Sequence, residues 1–169
     1  MKAPITNCYI VEPGKLIAGE YPRDLEEESS QKKIDSLLAA GVSLFLDLTE
    51  EGEGRNPLLP YTHLIREATH QRLPIPDVST PRNQAEAARI LDVIDGAIAK
   101  GETVYVHCWG GIGRTGTIVG CWLARHHGGG SAGYTRLQQI WKTCPKSATR
   151  DSPETAAQRQ FVKDWPAGQ

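Results

Sequence analysis

The hydrophobic pattern of this chain switches repeatedly between short continuous runs and longer stretches with a helical repeat. KLIAGEYP, from Lys15, reads as a short strand running into a turn, and SLFLDLT, from Ser43, as an apolar strand buried in the middle of a sheet. Between them Asp24 or Ser30 can cap a helix that puts Ile34, Leu37 and Leu38 on one face, with Gly41 at its C-terminal end. The acidic run Glu26 to Glu28 then forms the solvated first turn, where the helix dipole favours it. YTHLIREA and HQRLPI give weaker strand patterns, and the second runs into PDVSTP, whose prolines forbid a central strand.

Thr80 as cap and Pro81 at the first position predict a helix to about Lys100, with Ile90, Leu91, Ile94 and Ile98 inward. ETVYVH is the next apolar strand, and TGTIVGCWLARHH has the pattern of a largely buried helix. HHGGGSAG reads as a loop between helices. Two further helices are expected, at about 131–143 and from Pro153 to Asp164 with Ser152 as cap. Strands alternating with helices and then a helical tail predict an α/β fold, a central, mostly parallel sheet flanked by helices.

The length, 169 residues, fits a single domain over 1–169 that can bury a core without staples. Nineteen basic against twenty acidic residues give a net charge of −1, which argues against nucleic-acid and membrane-surface partners. The N-terminal segment lacks a signal-peptide pattern, and no stretch approaches the roughly 20 apolar residues of a membrane span. A cytoplasmic monomer is the expectation. Cys8, Cys108, Cys121 and Cys144 are too dispersed for a disulfide framework or zinc site, so neither metal nor cofactor is expected. Cys8, Cys121 and Cys144 read as small buried hydrophobes.

Cys108 stands apart because it sits in HCWGGIGRTG, residues 107–116, between a strand and a helix. Such a turn aims free backbone N–H groups and the positive helix end at one point, which attracts an anion. Gly110, Gly111 and Gly113, with Trp109 and Ile112 between and beside them, allow the N–H groups to close around a tetrahedral oxyanion. Arg114 adds a two-pronged donor, and converging donors favour thiolate over thiol at the base of the cradle.

HCWGGIGRTG resembles H-C-x5-R-[ST], the signature of the cysteine-based protein tyrosine and dual-specificity phosphatases. The resemblance spans roughly residues 10–165 and is greatest to the compact group containing the Cdc14 phosphatases and the kinase-associated phosphatase. It implies a phosphorylated protein substrate, with phosphotyrosine favoured and phosphoserine or phosphothreonine as additional substrates. By the same resemblance Cys108 would be the nucleophile, Arg114 the ligand of the equatorial oxygens, Thr115 the donor to the leaving sulfur, and His107 the residue that orients the loop.

A leaving alkoxide or phenolate needs a proton. The family carries its acid on a mobile upstream loop, which selects Asp77 in LPIPDVSTP over Asp47, Asp92 and Asp95. SPETAAQRQFV resembles the family's water-positioning Q-T-x-x-Q segment, with Glu154 replacing the first glutamine while Thr155 and Gln158 match. Rhodanese-like sulfurtransferases also use a loop cysteine but need neither Asp77 nor Thr115. A non-catalytic phospho-binding module would lack the cysteine, the arginine or the acid. Lysines that would meet a highly phosphorylated lipid headgroup are missing from the loop. Arg150 could meet a second phosphate or an acidic substrate flank, or stand as a solvated surface residue.

Overall fold

A computed structural model describes residues 2–53 and 58–169. Five strands form one mixed sheet: β1 (Cys8–Glu12), β2 (Leu16–Gly19), β3 (Val42–Asp47), β4 (Thr69–Arg72) and β5 (Thr103–His107). Their spatial order is β1-β2-β5-β3-β4, with β1 antiparallel on the edge and the other neighbours parallel. The sheet is therefore mostly parallel, as the alternation of elements requires. The antiparallel edge strand CYIVE was not marked by the sequence pattern; it pairs with β2 across a short turn.

β3 and β5 lie inside the sheet, and their side chains divide cleanly between two cores. Leu44, Leu46, Val104 and Val106 face α2 (Gln84–Ala99), α3 (Gly113–His126), α4 (Gly130–Trp141) and α5 (Ala156–Lys163). Phe45 and Tyr105 face the other way, toward Ile34 and Leu37 of α1 (Glu27–Ala39) and toward Tyr61, Leu64 and Ile65. Covered on both faces, these strands have no polar side to display, which accounts for their continuous apolar runs.

Helix starts differ from expectation. Glu26 occupies the N-cap of α1 without a side-chain bond. Ser30 lies inside the helix, accepting from the Asp24 N–H and donating to the Glu26 carbonyl, so neither Asp24 nor Ser30 is the cap. α2 begins at Gln84 rather than after Thr80–Pro81. Asn83 Oδ1 takes the Glu86 N–H at 2.9 Å, and the Glu86 carboxylate accepts from the Arg82 N–H just before the cap, so the helix is capped at Asn83 and not at Thr80. α5 starts at Ala156 under a Thr155–Gln158 capping box, because Ser152 instead donates its hydroxyl to the Ile112 carbonyl.

YTHLIREA is not a strand. Thr62–Leu64 form a 3-10 turn, and the buried residues Tyr61, Leu64 and Ile65 follow helical spacing rather than alternation. HHGGGSAG is only half a loop, since α4 starts at Gly130. A side chain at Gly133 would run into the backbone of Ala124, so this glycine sets the close approach of α4 to α3.

Candidate active site

The loop at the centre of the site leaves the carboxyl end of β5, between β2 and β3, where crossovers diverge and parallel α/β sheets bind ligands. Its carbonyls are tied to the scaffold. Trp109 O accepts from the Tyr21 N–H at 2.9 Å, Gly110 O from Lys146 Nζ at 2.8 Å, and Ile112 O from Ser152 Oγ at 2.7 Å. A planar trans peptide points each following N–H the opposite way, so the N–H groups of Gly110, Gly111 and Gly113 turn inward. Among the described residues no backbone N–H from Trp109 to Arg114 has a protein acceptor. Gly111 carries φ +71°, and a Cβ there would collide with the backbone of Gly19 and Glu20, so only glycine closes the loop.

Cys108 is buried at the base of this ring of donors and Arg114 is buried at its far end. Arg114 is held by Glu53 through two parallel bonds, Nη1 to Oε2 at 2.7 Å and Nη2 to Oε1 at 2.8 Å. Nη1 also donates to the Ile75 carbonyl at 3.1 Å, and Nη2 lies 2.9 Å from Asp77 Oδ1. Burial opposes the charge, but Glu53, then Cys108 and Asp77, outweigh it and hold the guanidinium protonated. Nε is buried with no partner among the described residues, as is the hydroxyl of Thr115. The bond from Thr115 to the sulfur implied by the family is therefore not formed here.

His107 ends β5 with its ring fully buried. Its Nδ1 lies 3.2 Å from the Cys108 carbonyl and its Nε2 2.6 Å from the Tyr61 hydroxyl. Burial pushes its pKa down to about 4, so the ring is neutral. The carbonyl can only accept, which places the proton on Nδ1 and makes Tyr61 the donor to Nε2. His107 thus fixes the first peptide of the loop.

Asp77 is half exposed on the loop before α2, beside Val78, a β-branched residue at φ +57°. That backbone is strained for valine and sits next to Asp77. The competing carboxylates are engaged elsewhere. Asp47 is buried under Thr49, His70 and Arg72. Burial raises its pKa, but the bond with His70, the attraction of the His107 ring, which is protonated only at the acid pH where Asp47 titrates, and Thr49 outweigh this and leave it well below the usual range. Asp95 binds Trp122, Arg125 and His126, and Asp92 pairs with Arg125.

Gln158 uses both ends of its amide: Oε1 accepts from the Thr155 N–H at 3.0 Å and Nε2 donates to the Ser79 carbonyl at 2.9 Å. It therefore ties the Asp77 loop to α5. Glu154 is paired with Arg150 at the rim. Trp109 is 62% exposed and forms a wall of the cleft rather than packing beneath the loop. The cleft, about 620 Å³, is lined by Asp77, Cys108, Trp109, Arg114, Arg150 and Gln158 among others. Cys8, Cys121 and Cys144 are buried, and burial pushes each thiol pKa up, that of Cys8 to about 11. Among the described residues no group of three or more His, Cys, Asp or Glu is placed to hold a metal ion, and no helix is long and apolar enough to cross a membrane.

Glu53 and Lys146 carry no sequence signal. Glu53 is one of three glutamates just after β3, and only the fold turns it toward Arg114. Lys146 reaches Gly110 O and Glu20 from far along the chain.

Known proteins share the sequence pattern and the fold of this chain. The family model described as "Tc-R-P: Polymorphic toxin system, DSP-PTPase phosphatase" matches residues 22–128, which contain Asp77, Cys108 and Arg114. The 067L protein of Invertebrate iridescent virus 3, named as a tyrosine phosphatase, is 36% identical over 113 residues, 65% of this chain and 42% of its own. The chain thus spans less than half the length of that curated relative. Among solved structures, Tk-PTP in its active form superposes with TM-score 0.71 at 24% identity, covering 93% of this chain and 94% of its own. The kinase-associated phosphatase, with its catalytic cysteine changed to serine, gives 0.71 at 17% identity over 92% and 90%. Residues from Pro22 to Gly128 carry the family pattern across most of the sheet and the whole donor loop, and the chain belongs to this DSP-PTPase family within the dual-specificity phosphatase superfamily.

Proposed function

We propose that this chain is one catalytic domain that hydrolyses phosphomonoesters on proteins, phosphotyrosine above all and phosphoserine or phosphothreonine in addition, through a cysteinyl-phosphate. The observation that carries the reading is the set of unpaired donors over Cys108: the loop N–H groups and Arg114 Nε have no protein acceptor among the described residues. These donors suit the three terminal oxygens of a phosphoryl group. Arg114 would meet them with Nε and Nη2, displacing Asp77 from Nη2 toward the leaving oxygen.

In the first step the Cys108 thiolate attacks phosphorus, the P–O bond to the substrate breaks, and Asp77 gives its proton to the departing oxygen. In the second, Asp77 takes a proton from water as the water oxygen attacks phosphorus and the P–S bond breaks. The Thr115 hydroxyl, lacking any other partner, is available to donate to the departing sulfur. Trp109 and Val78 give the cleft apolar walls that suit an aromatic ring. Gln158 holds the acid loop, and its part in placing the water, with or without Glu154, belongs to the same proposal. The four free cysteines fit a reducing, cytoplasmic compartment. The reaction needs no cofactor, metal, nucleic acid or second subunit.

Cys108→Ser should abolish turnover of an aryl phosphate while phosphate or vanadate still binds. Asp77→Asn should slow turnover most for poor leaving groups. Turnover retained by Cys108→Ser, or activity on thiosulfate in place of phosphoesters, would remove this mechanism.

A further inference from the structure

Among the described residues four large apolar side chains are exposed: Leu25, Leu59, Val78 and Trp109, with Leu25 at 87%. All four rim the catalytic cleft or a second groove of about 600 Å³ that shares Trp109 as a wall. Leu25, Leu58, Leu59 and Trp109 give the second groove an apolar lining, and Arg23 is recessed in it. Apolar exposure gathered at one place on a surface marks a binding face.

Arg23 supplies the second, independent observation. Its side chain is only 9% exposed, and Nε and Nη1 are buried with no hydrogen-bond partner among the described residues. The nearest carboxylate, Glu27, stands 3.6 Å away, too far for a hydrogen bond, and is itself exposed. A guanidinium recessed this far without acceptors costs free energy that an incoming anion would recover. Among the described residues the other charged groups facing the groove are Asp24, paired with Lys33 Nζ at 2.6 Å, and Glu26 at the uncapped start of α1. Ser29 is spent on the Glu26 carbonyl. With Asp24 paired to Lys33, the described lining sets Arg23 beside the single unpaired carboxylate of Glu26, which suits one incoming negative charge and repels a cluster of phosphates.

We propose that this groove is a substrate-flank subsite for a phosphorylated polypeptide: Arg23 takes the carboxylate of an acidic residue, and Leu25, Leu59 and Trp109 pack against an apolar residue beside it. Continuity through Trp109 lets one chain fill both sites, its phosphorylated side chain over Cys108 and its flank in the groove. The inference rests on the phosphatase reading of the Cys108 cleft.

The test compares p-nitrophenyl phosphate, which reaches only the catalytic cleft, with phosphotyrosine peptides in which a Glu-Leu pair, or its Gln-Leu isostere, is walked along both flanks. At one flank position Glu should exceed Gln in kcat/KM by about tenfold, the scale of a hydrogen bond to a charged group. Arg23→Gln should erase that preference and leave p-nitrophenyl phosphate turnover unchanged. Leu59→Ser should lower kcat/KM for the Glu-Leu peptide but not for a Glu-Ser peptide. Equal Glu and Gln rates at every position in the parent protein, or a preference surviving Arg23→Gln, would overturn the subsite. Absence of p-nitrophenyl phosphate turnover in the parent protein would instead overturn the phosphatase reading beneath it.

Discussion

Acidifying the solution from pH 6.5 to pH 4 should weaken the fold through His107. Its ring is inaccessible to solvent, and burial lowers its pKa from 6.5 to about 4, with the positive charges of His70 and Arg72 acting in the same direction and Asp47 and the Cys108 carbonyl against it. In the unfolded chain the imidazole takes a proton near pH 6.5, whereas in the folded protein it refuses one until about pH 4. Between those values the unfolded state holds more protons, so stability falls as pH falls. The contribution is fully present above pH 6.5 and gone below about pH 4. At about 1.4 kcal/mol per pH unit the loss across this window is about 3 kcal/mol. Asp47, held below its ordinary value of 3.8, adds a loss only at lower pH. Urea unfolding of the parent protein and His107→Gln at a series of pH values isolates the effect as the difference between the two curves. Equal slopes between pH 6.5 and 4, or an NMR titration of the His107 ring centred near 6.5, would refute the reasoning.

Two other changes probe the loop directly. Glu53→Gln removes the charge that pairs with buried Arg114 and turns one amide donor against the guanidinium. We expect about 3 kcal/mol of lost stability in denaturant titrations and, from the misplaced Arg114, a fall in kcat on an aryl phosphate of about tenfold or more; unchanged kcat would show that Glu53 does not position the arginine. Gly111→Ala forces a Cβ into the backbone of Gly19 and Glu20 at a positive φ, and should cost about 2 kcal/mol or more together with activity. An alanine variant with parental melting temperature and turnover would contradict the fit of the loop against β2.

The apolar runs of β2, β3 and β5 and the helical repeats of α2 and α3 were legible because burial on both sheet faces, or on one helix stripe, writes itself into adjacent residues. Helix starts were less legible. Ser30, Thr80 and Ser152 are all plausible caps by type, but Ser30 closes back on Glu26, Asn83 outcompetes Thr80, and Ser152 is drawn to the Ile112 carbonyl by a loop distant in sequence. Tyr61, Leu64 and Ile65 were misread as a strand because a short apolar run does not declare its period. The exposed Trp109 could not be placed from its neighbours, since the same indole would fit under the loop or along the cleft.

The sequence by itself determined the donor loop: the spacing of Cys108 and Arg114, the glycines between them and the strand-to-helix context are local, and local backbone chemistry suffices to make an anion cradle. The proline-flanked segment of Asp77 became a candidate acid loop only through the resemblance to the phosphatase family. Only the tertiary structure decided what holds those groups in place. Glu53 on Arg114, Tyr61 on His107, Lys146 on Gly110, Gln158 on the Asp77 loop and the recessed Arg23 are all pairings or non-pairings between distant segments. Whether a glutamate is an exposed charge or the anchor of an arginine depends on which strand end it is folded against, and no residue type or spacing along the chain encodes that distance.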